Sequence, residues 1–153
     1  EAVAAVNEKR KSDMAEKMAA AFGDVAGKTI AVLGLTFKPN TDDMRDAPSL
    51  VIVPHLQAKG ARIRAYDPEG THEALKILKI ETCDNAYEPL KDADGVVILT
   101  EWNEFRALDL QKVKSLLKKP LMVDLRNIYR ANQMAAAGFT YVSVGRGTAY
   151  PEA

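Results

Sequence analysis

Apolar residues recur at helical spacing in the first part of the chain. Over residues 1–22, Met14, Met18 and Phe22 continue an apolar stripe on an alanine-rich background, and Gly23 is a natural helix stop. Nothing among the first residues is suited to cap a helix. The pattern therefore predicts that residues 1–23 are the end of a longer helix that begins upstream.

From residue 29 onward, short apolar runs alternate with helical stretches. Runs such as TIAVLGL and GVVIL are continuous and β-branched, which is typical of strands covered on both faces. The predicted strands are 29–35, 62–66, 81–83, 95–99, 121–124 and 140–144, the predicted helices are 49–59, 72–79, 108–117 and 130–137, and 87–91 is at most a helical turn. This alternation predicts an α/β domain over residues 28–148, built as a Rossmann-like, doubly wound parallel sheet and preceded by the N-terminal helix. The tail at 150–153 is expected to fray.

Composition and charge narrow the class of protein. The 153 residues match one globular domain, and 21 basic residues balance 21 acidic ones. A net charge of zero leaves no electrostatic footprint for nucleic acid or for an anionic membrane surface. A single cysteine excludes an intrachain disulfide, and no apolar run approaches the roughly 20 residues of a membrane helix. We therefore predict a cytoplasmic protein without a nucleic-acid or membrane partner.

The loop after the first predicted strand carries the first candidate chemistry. Ligands of parallel sheets bind at the carboxyl ends of the strands, near the point where the strand order reverses. The loop lacks the G-x-G-x-x-G fingerprint, because Gly34 is followed by Thr36 and Pro39 where glycines are needed. It carries Lys38 and Arg45 instead. These cations either bind a phosphate through their side chains or are simply solvated.

Two further strand ends carry charged candidates. Arg126 directly follows a buried strand, so its guanidinium either binds a phosphate or carboxylate or pairs with Asp124. Asp67 ends the second strand, where a dinucleotide-binding domain places its ribose-binding acid. Because Pro68 follows and the glycine fingerprint is missing, we favour Asp67 as the start of a turn.

The remaining reactive residues indicate structure rather than catalysis. Cys83 has no oxyanion loop or nearby histidine and is expected to be buried and inert. His55 and His72 are too isolated for a zinc site, so we predict no metal. Trp102 is interpreted as packing, with stacking on a base as the alternative. The acidic pair at 42–43 is expected to cap the following element.

Several motifs together resemble one known family. GLTFKPNTDDMRDAPS at 34–49 resembles the signature of the C-terminal domain in the nucleotide-sugar dehydrogenase family. YDP at 66–68, TEW at 100–102 and DLRN at 124–127 match its later motifs in order and spacing. AVAAVNEKRK at 2–11 is similar to the end of the family's long central helix.

The resemblance implies an activity and a set of roles. Such enzymes oxidise the C6 hydroxyl of a nucleotide sugar to a carboxylate with two NAD, through a thiohemiacetal on a cysteine that would lie upstream of this sequence. Phe37, Lys38 and Arg126 match positions that bind the UDP-sugar, and Arg45 matches an arginine that reaches NAD. Cys83 does not match the nucleophile, so no catalytic residue is assigned. The implied partners are UDP or UDP-glucose, an N-terminal NAD-binding domain and a second subunit in a homodimer bound through the central helix.

Two alternatives stay open at this stage. The TDD-x-R-DAPS string favours UDP-glucose as the substrate, but a sibling acting on another UDP-sugar or a GDP-sugar has the same architecture. A module that binds nucleotide without catalysis also lacks a glycine fingerprint and a reactive thiol.

Overall fold

The structure, a computed structural model, describes residues 2–143 and 147–151, with side chains from Lys9 onward. The helices are α1 (Ala2–Phe22), α2 (Ser49–Ala58), α3 (Thr71–Leu75), α4 (Asn103–Arg106), α5 (Leu110–Leu116) and α6 (Ala131–Ala136), with a 3₁₀ turn at Glu88–Leu90. The strands are β1 (Thr29–Leu33), β2 (Arg62–Tyr66), β3 (Glu81–Thr82), β4 (Gly95–Ile98), β5 (Leu121–Asp124), β6 (Thr140–Ser143) and β7 (Gly147–Ala149). Every predicted strand and helix is therefore present, most of them one to three residues shorter than predicted.

The sheet confirms the predicted doubly wound topology. Its seven strands lie in the order β3-β2-β1-β4-β5-β6-β7. Strands β1 to β6 pair in parallel, in the order of a Rossmann-like sheet. The strand order reverses between β1 and β4, so the loops that follow these two strands define the crevice where a ligand is expected.

The prediction that β6 is the last strand of the sheet is wrong. Strand β7 pairs with β6 in the antiparallel direction, whereas the sequence predicted β6 as the last strand. Only three residues form β7, and GTA has neither an apolar run nor alternation, so no local pattern indicates a strand there. Val144, the last residue of the predicted strand, lies outside the described residues.

Helices cover both faces of the sheet. Val32 faces a core shared with α1 and α2, where Ala15, Met18 and Ile52 are buried. The neighbouring strand residue Leu33 faces the opposite core, which α4, α5 and α6 complete. Continuous burial of β1 on both faces explains its unbroken apolar sequence.

Helix α4 is absent from the predicted elements. It has four residues, fewer than a helical apolar pattern needs, and contributes one fully buried side chain, Phe105. Helix α1 is present as predicted, and it packs its alanine-rich face against α2. Small side chains on that face allow the two helices to approach closely.

None of the described helices combines the length and the apolar character that a membrane crossing requires.

Candidate functional site

The conformation of Gly34 shows how tightly the ends of β1 and β4 approach each other. Its φ is +92°, and a Cβ built there would lie 2.5 Å from the Cβ of Thr100 and 2.6 Å from the Thr100 nitrogen. The Thr100 hydroxyl donates to the carbonyl of Thr36 over 2.7 Å. Gly34 therefore allows a close contact within the protein, between the ends of β1 and β4.

Asp67 forms the predicted turn at the end of β2. Its Oδ1 accepts hydrogen bonds from the backbone amides of Glu69 at 3.0 Å and Gly70 at 2.7 Å. Only 2% of the residue is exposed. The prediction of a turn residue is confirmed, and the burial of the carboxylate leaves it no face for a ribose.

The second oxygen of Asp67 fixes residues 34–48, which we call the motif loop. Oδ2 accepts from the amides of Leu35 at 2.7 Å and Thr36 at 3.1 Å, from the Thr36 hydroxyl, and from the Trp102 indole at 3.3 Å. Trp102 is thus a packed residue whose N–H is satisfied, as its packing interpretation predicted. One buried carboxylate joins the ends of β1, β2 and β4.

Arg126 reaches from the end of β5 to the motif loop. Its Nε donates to the carbonyl of Leu99 at 3.0 Å, and its Nη2 donates to the carbonyl of Phe37 at 3.2 Å. The side chain is half-buried. These two bonds orient a planar guanidinium at the carboxyl edge of the sheet.

The alternative role for Arg126, a side-chain pair with Asp124, is wrong. Asp124 is fully buried, and its carboxylate accepts from the backbone amides of Arg126 and Ile128 and from the Tyr141 hydroxyl. Three neutral donors therefore satisfy the carboxylate. Asp124 orders the backbone that carries Arg126, and the guanidinium extends away from it.

Phe37 and Arg126 line a common pocket of 390 Å³ at this edge, which we call the cationic pocket. Its described lining residues are Arg10, Lys11, Met14, Phe37, Asp46, Pro48, Leu125 and Arg126. The sequence predicted Phe37 and Arg126 but not the contribution of α1. A basic run at 9–11 was visible in the sequence, yet only the packing of α1 shows that two of its cations meet the motif loop.

Lys38 and Arg45 lie outside the lining of the cationic pocket. Arg45 forms a two-pronged contact with Asp43, at 3.1 Å from Nε to Oδ1 and 3.0 Å from Nη2 to Oδ2. The hydrogen bonds from Arg45, with a smaller contribution from the charge of Lys38, hold the pKa of Asp43 below its usual value. Lys38 is exposed.

The predicted capping role of the acidic pair at 42–43 is wrong. Pro48 occupies the N-cap of α2, without a side-chain hydrogen bond. Asp43 instead bonds within its own loop, because its Oδ1 also accepts from the backbone amide of Arg45 at 2.9 Å. Its carbonyl accepts from the amide of Phe37, which closes the loop on itself.

The other reactive side chains show no catalytic arrangement. His55 lies 3.1 Å from Glu16 across the contact between α1 and α2, as a histidine with a structural partner would. Among the described residues, no group of three or more His, Cys, Asp or Glu side chains is placed to hold a metal ion. Cys83 is half-buried, whereas the sequence predicted that it is buried. It directly follows β3, a strand of two residues at the edge of the sheet.

We expect the Cys83 thiol to react slowly with a thiol-specific reagent. Burial raises its pKa above the usual value, against a smaller lowering by Arg64, so the reactive thiolate is scarce at about pH 7.5. The rate with a chromogenic disulfide should be lower than for the same chain unfolded in urea. A folded chain that reacts as fast as the unfolded one would contradict this.

Known proteins share the fold and the sequence motifs of this chain. The fold and the pocket define an α/β domain with a cationic pocket at the carboxyl edge of its sheet. The sequence model of the "UDP-glucose/GDP-mannose dehydrogenase family, UDP binding domain" matches residues 31–131. The chain belongs to this family, which confirms the resemblance drawn from its motifs.

Curated relatives extend the match over nearly the whole chain. A UDP-glucose 6-dehydrogenase of Rhizobium meliloti is 55% identical over 148 residues, which are 95% of this chain and 34% of that protein. UDP-glucose 6-dehydrogenase TuaD of Bacillus subtilis is 46% identical, over 95% of this chain and 32% of its own length. The chain thus spans about a third of the length of these relatives.

Solved structures of the same class superpose on the chain. A UDP-D-ManNAc dehydrogenase from Pyrococcus horikoshii aligns with a TM-score of 0.74 and 27% identity, over 91% of this chain and 32% of its own. A UDP-glucose dehydrogenase from Pyrobaculum islandicum aligns with a TM-score of 0.69 and 26% identity, over 90% of this chain and 29% of its own.

Proposed function

We propose that the chain is the C-terminal UDP-binding part of an NAD-dependent enzyme that oxidises UDP-glucose to UDP-glucuronate. The observation that carries this proposal is the cationic pocket, where Phe37 and Arg126 meet although 88 residues of sequence lie between them. Family motifs assigned both residues to the substrate, and Arg126 was also a candidate from its place after a buried strand. Their convergence at the edge where parallel sheets bind ligands supports that assignment.

The two residues offer complementary chemistry to a nucleoside diphosphate. The Arg126 guanidinium is oriented by two backbone carbonyls, so little conformational entropy is lost when its remaining N–H groups meet a phosphate. Charge-assisted hydrogen bonds of this kind are roughly twice as strong as neutral ones. Phe37 is 42% exposed and offers an apolar surface beside that charge. Lys38 follows in the chain and would add a mobile cation near the sugar end of the diphosphate.

This chain would contribute binding energy rather than chemistry. Holding the UDP fixes the distant C6 hydroxyl against groups of an upstream part, which lowers the entropic cost of reaching the transition state. NAD supplies the hydride acceptor when it is bound by the upstream domain. The region around Gly34 gives no cradle for a dinucleotide, and Arg45 is the residue here that we assign to NAD. Asp43, which pairs with Arg45 in this structure, would either orient the Arg45 guanidinium or release it when NAD binds.

The remaining assignments follow the same proposal. We infer a homodimer in the whole protein, with α1 as the end of the central helix, and a cytoplasmic location. A sibling substrate is the second candidate, because the superposable structures include a UDP-D-ManNAc dehydrogenase as well as a UDP-glucose dehydrogenase.

The proposal is tested by calorimetric titration of the chain with UDP, UDP-glucose and GDP-mannose. We expect the uridine ligands to bind and Arg126→Ala to weaken them at least about tenfold, since a hydrogen bond to a charged group contributes about 1.5–3 kcal/mol. Arg126→Lys should recover only part of the affinity, because an ammonium lacks the planar fork.

The matched control is Arg62→Ala. Arg62 is exposed at the first residue of β2, on the opposite edge of the sheet from the cationic pocket. Arg62→Ala removes the same charge as Arg126→Ala without changing the cationic pocket. Equal UDP affinity in the Arg126 and Arg62 variants would refute the site, and tighter binding of GDP-mannose would favour the sibling substrate.

A further inference from the structure

A buried tyrosine hydroxyl contacts the carboxylate beneath the loop that carries Arg126. Tyr141 of β6 is fully buried, and its Oη donates to Oδ2 of Asp124 over 2.6 Å. The strand register pairs Tyr141 with Met122, two residues before Asp124 on β5, so the two side chains lie on the same face of the sheet. The carbonyl of Tyr129 also lies near this hydroxyl, but at 3.2 Å it is farther away. The hydroxyl proton is therefore directed at Asp124.

Packing of the core does not by itself call for this hydroxyl. The Tyr141 ring belongs to a cluster of apolar side chains that includes Met122, Met134 and Phe139. A phenylalanine would fill the same space without the cost of burying a polar group. A buried hydroxyl is favourable when it makes a strong hydrogen bond, and a bond to a carboxylate is of that kind. The specific contribution of the Tyr141 hydroxyl is therefore made at Asp124.

Asp124 transmits this contact to the backbone on either side of Asn127. Its Oδ1 accepts from the amide of Arg126 at 2.9 Å, and its Oδ2 accepts from the amide of Ile128 at 2.8 Å. Asn127 has a φ of +56°, a left-handed conformation that asparagine tolerates but that costs energy, so contacts from outside the loop must hold it. The Tyr141 hydroxyl fixes the carboxylate between the two amides. The course of the loop thus depends on the orientation of one buried carboxylate.

The guanidinium of Arg126 depends in turn on the position of this backbone. Its Nη2 reaches the carbonyl of Phe37 at 3.2 Å, which is the long end of the normal range for an N–H donor. A backbone shift of about half an ångström would take that bond out of range. Arg126 would then keep its bond to the Leu99 carbonyl at most, and its planar group would lose a fixed orientation.

We propose that Tyr141 is a positioning residue for nucleotide binding, which acts through Asp124 to hold the Arg126 guanidinium in the orientation that meets the phosphates. This inference rests on the proposed function and adds to it a residue of β6 outside the described lining of the cationic pocket. The Tyr141 hydroxyl does not itself touch the nucleotide. Its removal should therefore weaken UDP binding only as long as Arg126 is present.

A double-mutant cycle tests this dependence by calorimetric titration of the full chain with UDP. The variants are Tyr141→Phe, Arg126→Ala and their combination, and circular dichroism checks that each is folded. Tyr141→Phe should weaken UDP binding about three- to tenfold, because a long side chain must then be ordered when the ligand binds. In the Arg126→Ala background the same change should alter the affinity by less than about twofold. A merely structural role would weaken binding equally in both backgrounds.

Two further variants complete the experiment. Asp124→Asn changes the same contact from the other side and should show the same dependence on Arg126. The matched control is Tyr66→Phe, because the Tyr66 hydroxyl also donates to a carboxylate, that of Glu104 at 3.1 Å. Neither Tyr66 nor Glu104 belongs to the described lining of the cationic pocket, so the control should keep its UDP affinity within about twofold of the wild type.

The outcomes separate this inference from the function beneath it. An unchanged UDP affinity in Tyr141→Phe, with binding lost in Arg126→Ala, overturns the inference and leaves the proposed function standing. An equal loss in both backgrounds also overturns it, because Tyr141 would then act independently of Arg126. Failure of both Tyr141→Phe and Asp124→Asn to fold overturns it as well, since the contact would then hold the whole domain. A wild-type chain that does not bind UDP overturns both the inference and the proposed function.

Discussion

Replacing Asp67 with alanine should lower the free energy of unfolding by about 4 kcal/mol or more. The carboxylate is the acceptor for buried amides of Leu35, Thr36 and Gly70 and for the Trp102 indole. Each buried donor left without a partner costs about 1–3 kcal/mol. For a domain of this size the loss corresponds to a fall in Tm of roughly 8–16 °C, which calorimetry or urea unfolding would measure.

The isosteric variant Asp67→Asn should not rescue stability. Donors face both carboxylate oxygens, Gly70 on Oδ1 and Leu35 on Oδ2, so either orientation of an amide places its NH₂ against an N–H group. The control is Asp13→Asn on the exposed side of α1, which should stay within about 0.5 kcal/mol of the wild type. Wild-type stability of Asp67→Asn would show that the hydrogen bonds at the motif loop contribute little.

Removing a single donor gives a graded version of the same test. Trp102→Phe takes away one bond of 3.3 Å and keeps most of the aromatic volume, so a loss of about 1 kcal/mol is expected from the hydrogen bond. A loss as large as that of Asp67→Ala would mean that the packing of Trp102 dominates at this position.

The central strands were predictable because their sequences are continuous apolar runs. Strands β1 and β4 are buried on both faces, so burial alone dictates their runs of apolar residues. Strand β7 and helix α4 were missed because they depend on neighbours: one completes an edge, and the other is four residues held by a single buried phenylalanine. Local pattern fails where tertiary contacts supply the stability.

The candidate site was predictable only in part. Arg126 could be chosen because it directly follows a buried strand, where the crevice rule places ligands. Phe37 was chosen only because it matches a position of the family motif. Arg10 and Lys11 lie on a helix that precedes the sheet, where a basic run is normally a solvated face. Asp67 looked like a turn residue and is one, but its second oxygen reaches 32 residues back along the chain to Leu35, which no local spacing reveals.

Gly34→Ala should be the most disruptive glycine substitution at the carboxyl edge, with a loss of about 3 kcal/mol or more in the free energy of unfolding. Two costs add up. The φ of +92° is strained for alanine, and the new methyl group would lie 2.6 Å from the backbone nitrogen of Thr100. Backbone cannot move aside as a flexible side chain can, so β1 and β4 would have to separate where the strand order reverses.

Gly23→Ala measures the first cost, the backbone strain, by itself. Gly23 has a φ of +74°, but no atom lies within 4 Å of a Cβ built there, so this variant carries only the backbone strain of about 1–2 kcal/mol. Urea unfolding of both variants yields the difference that is due to the close approach. Because Thr100 also binds the motif loop, Gly34→Ala should weaken UDP binding and Gly23→Ala should not. Equal stability of the two variants would show that the contact between Gly34 and Thr100 is loose.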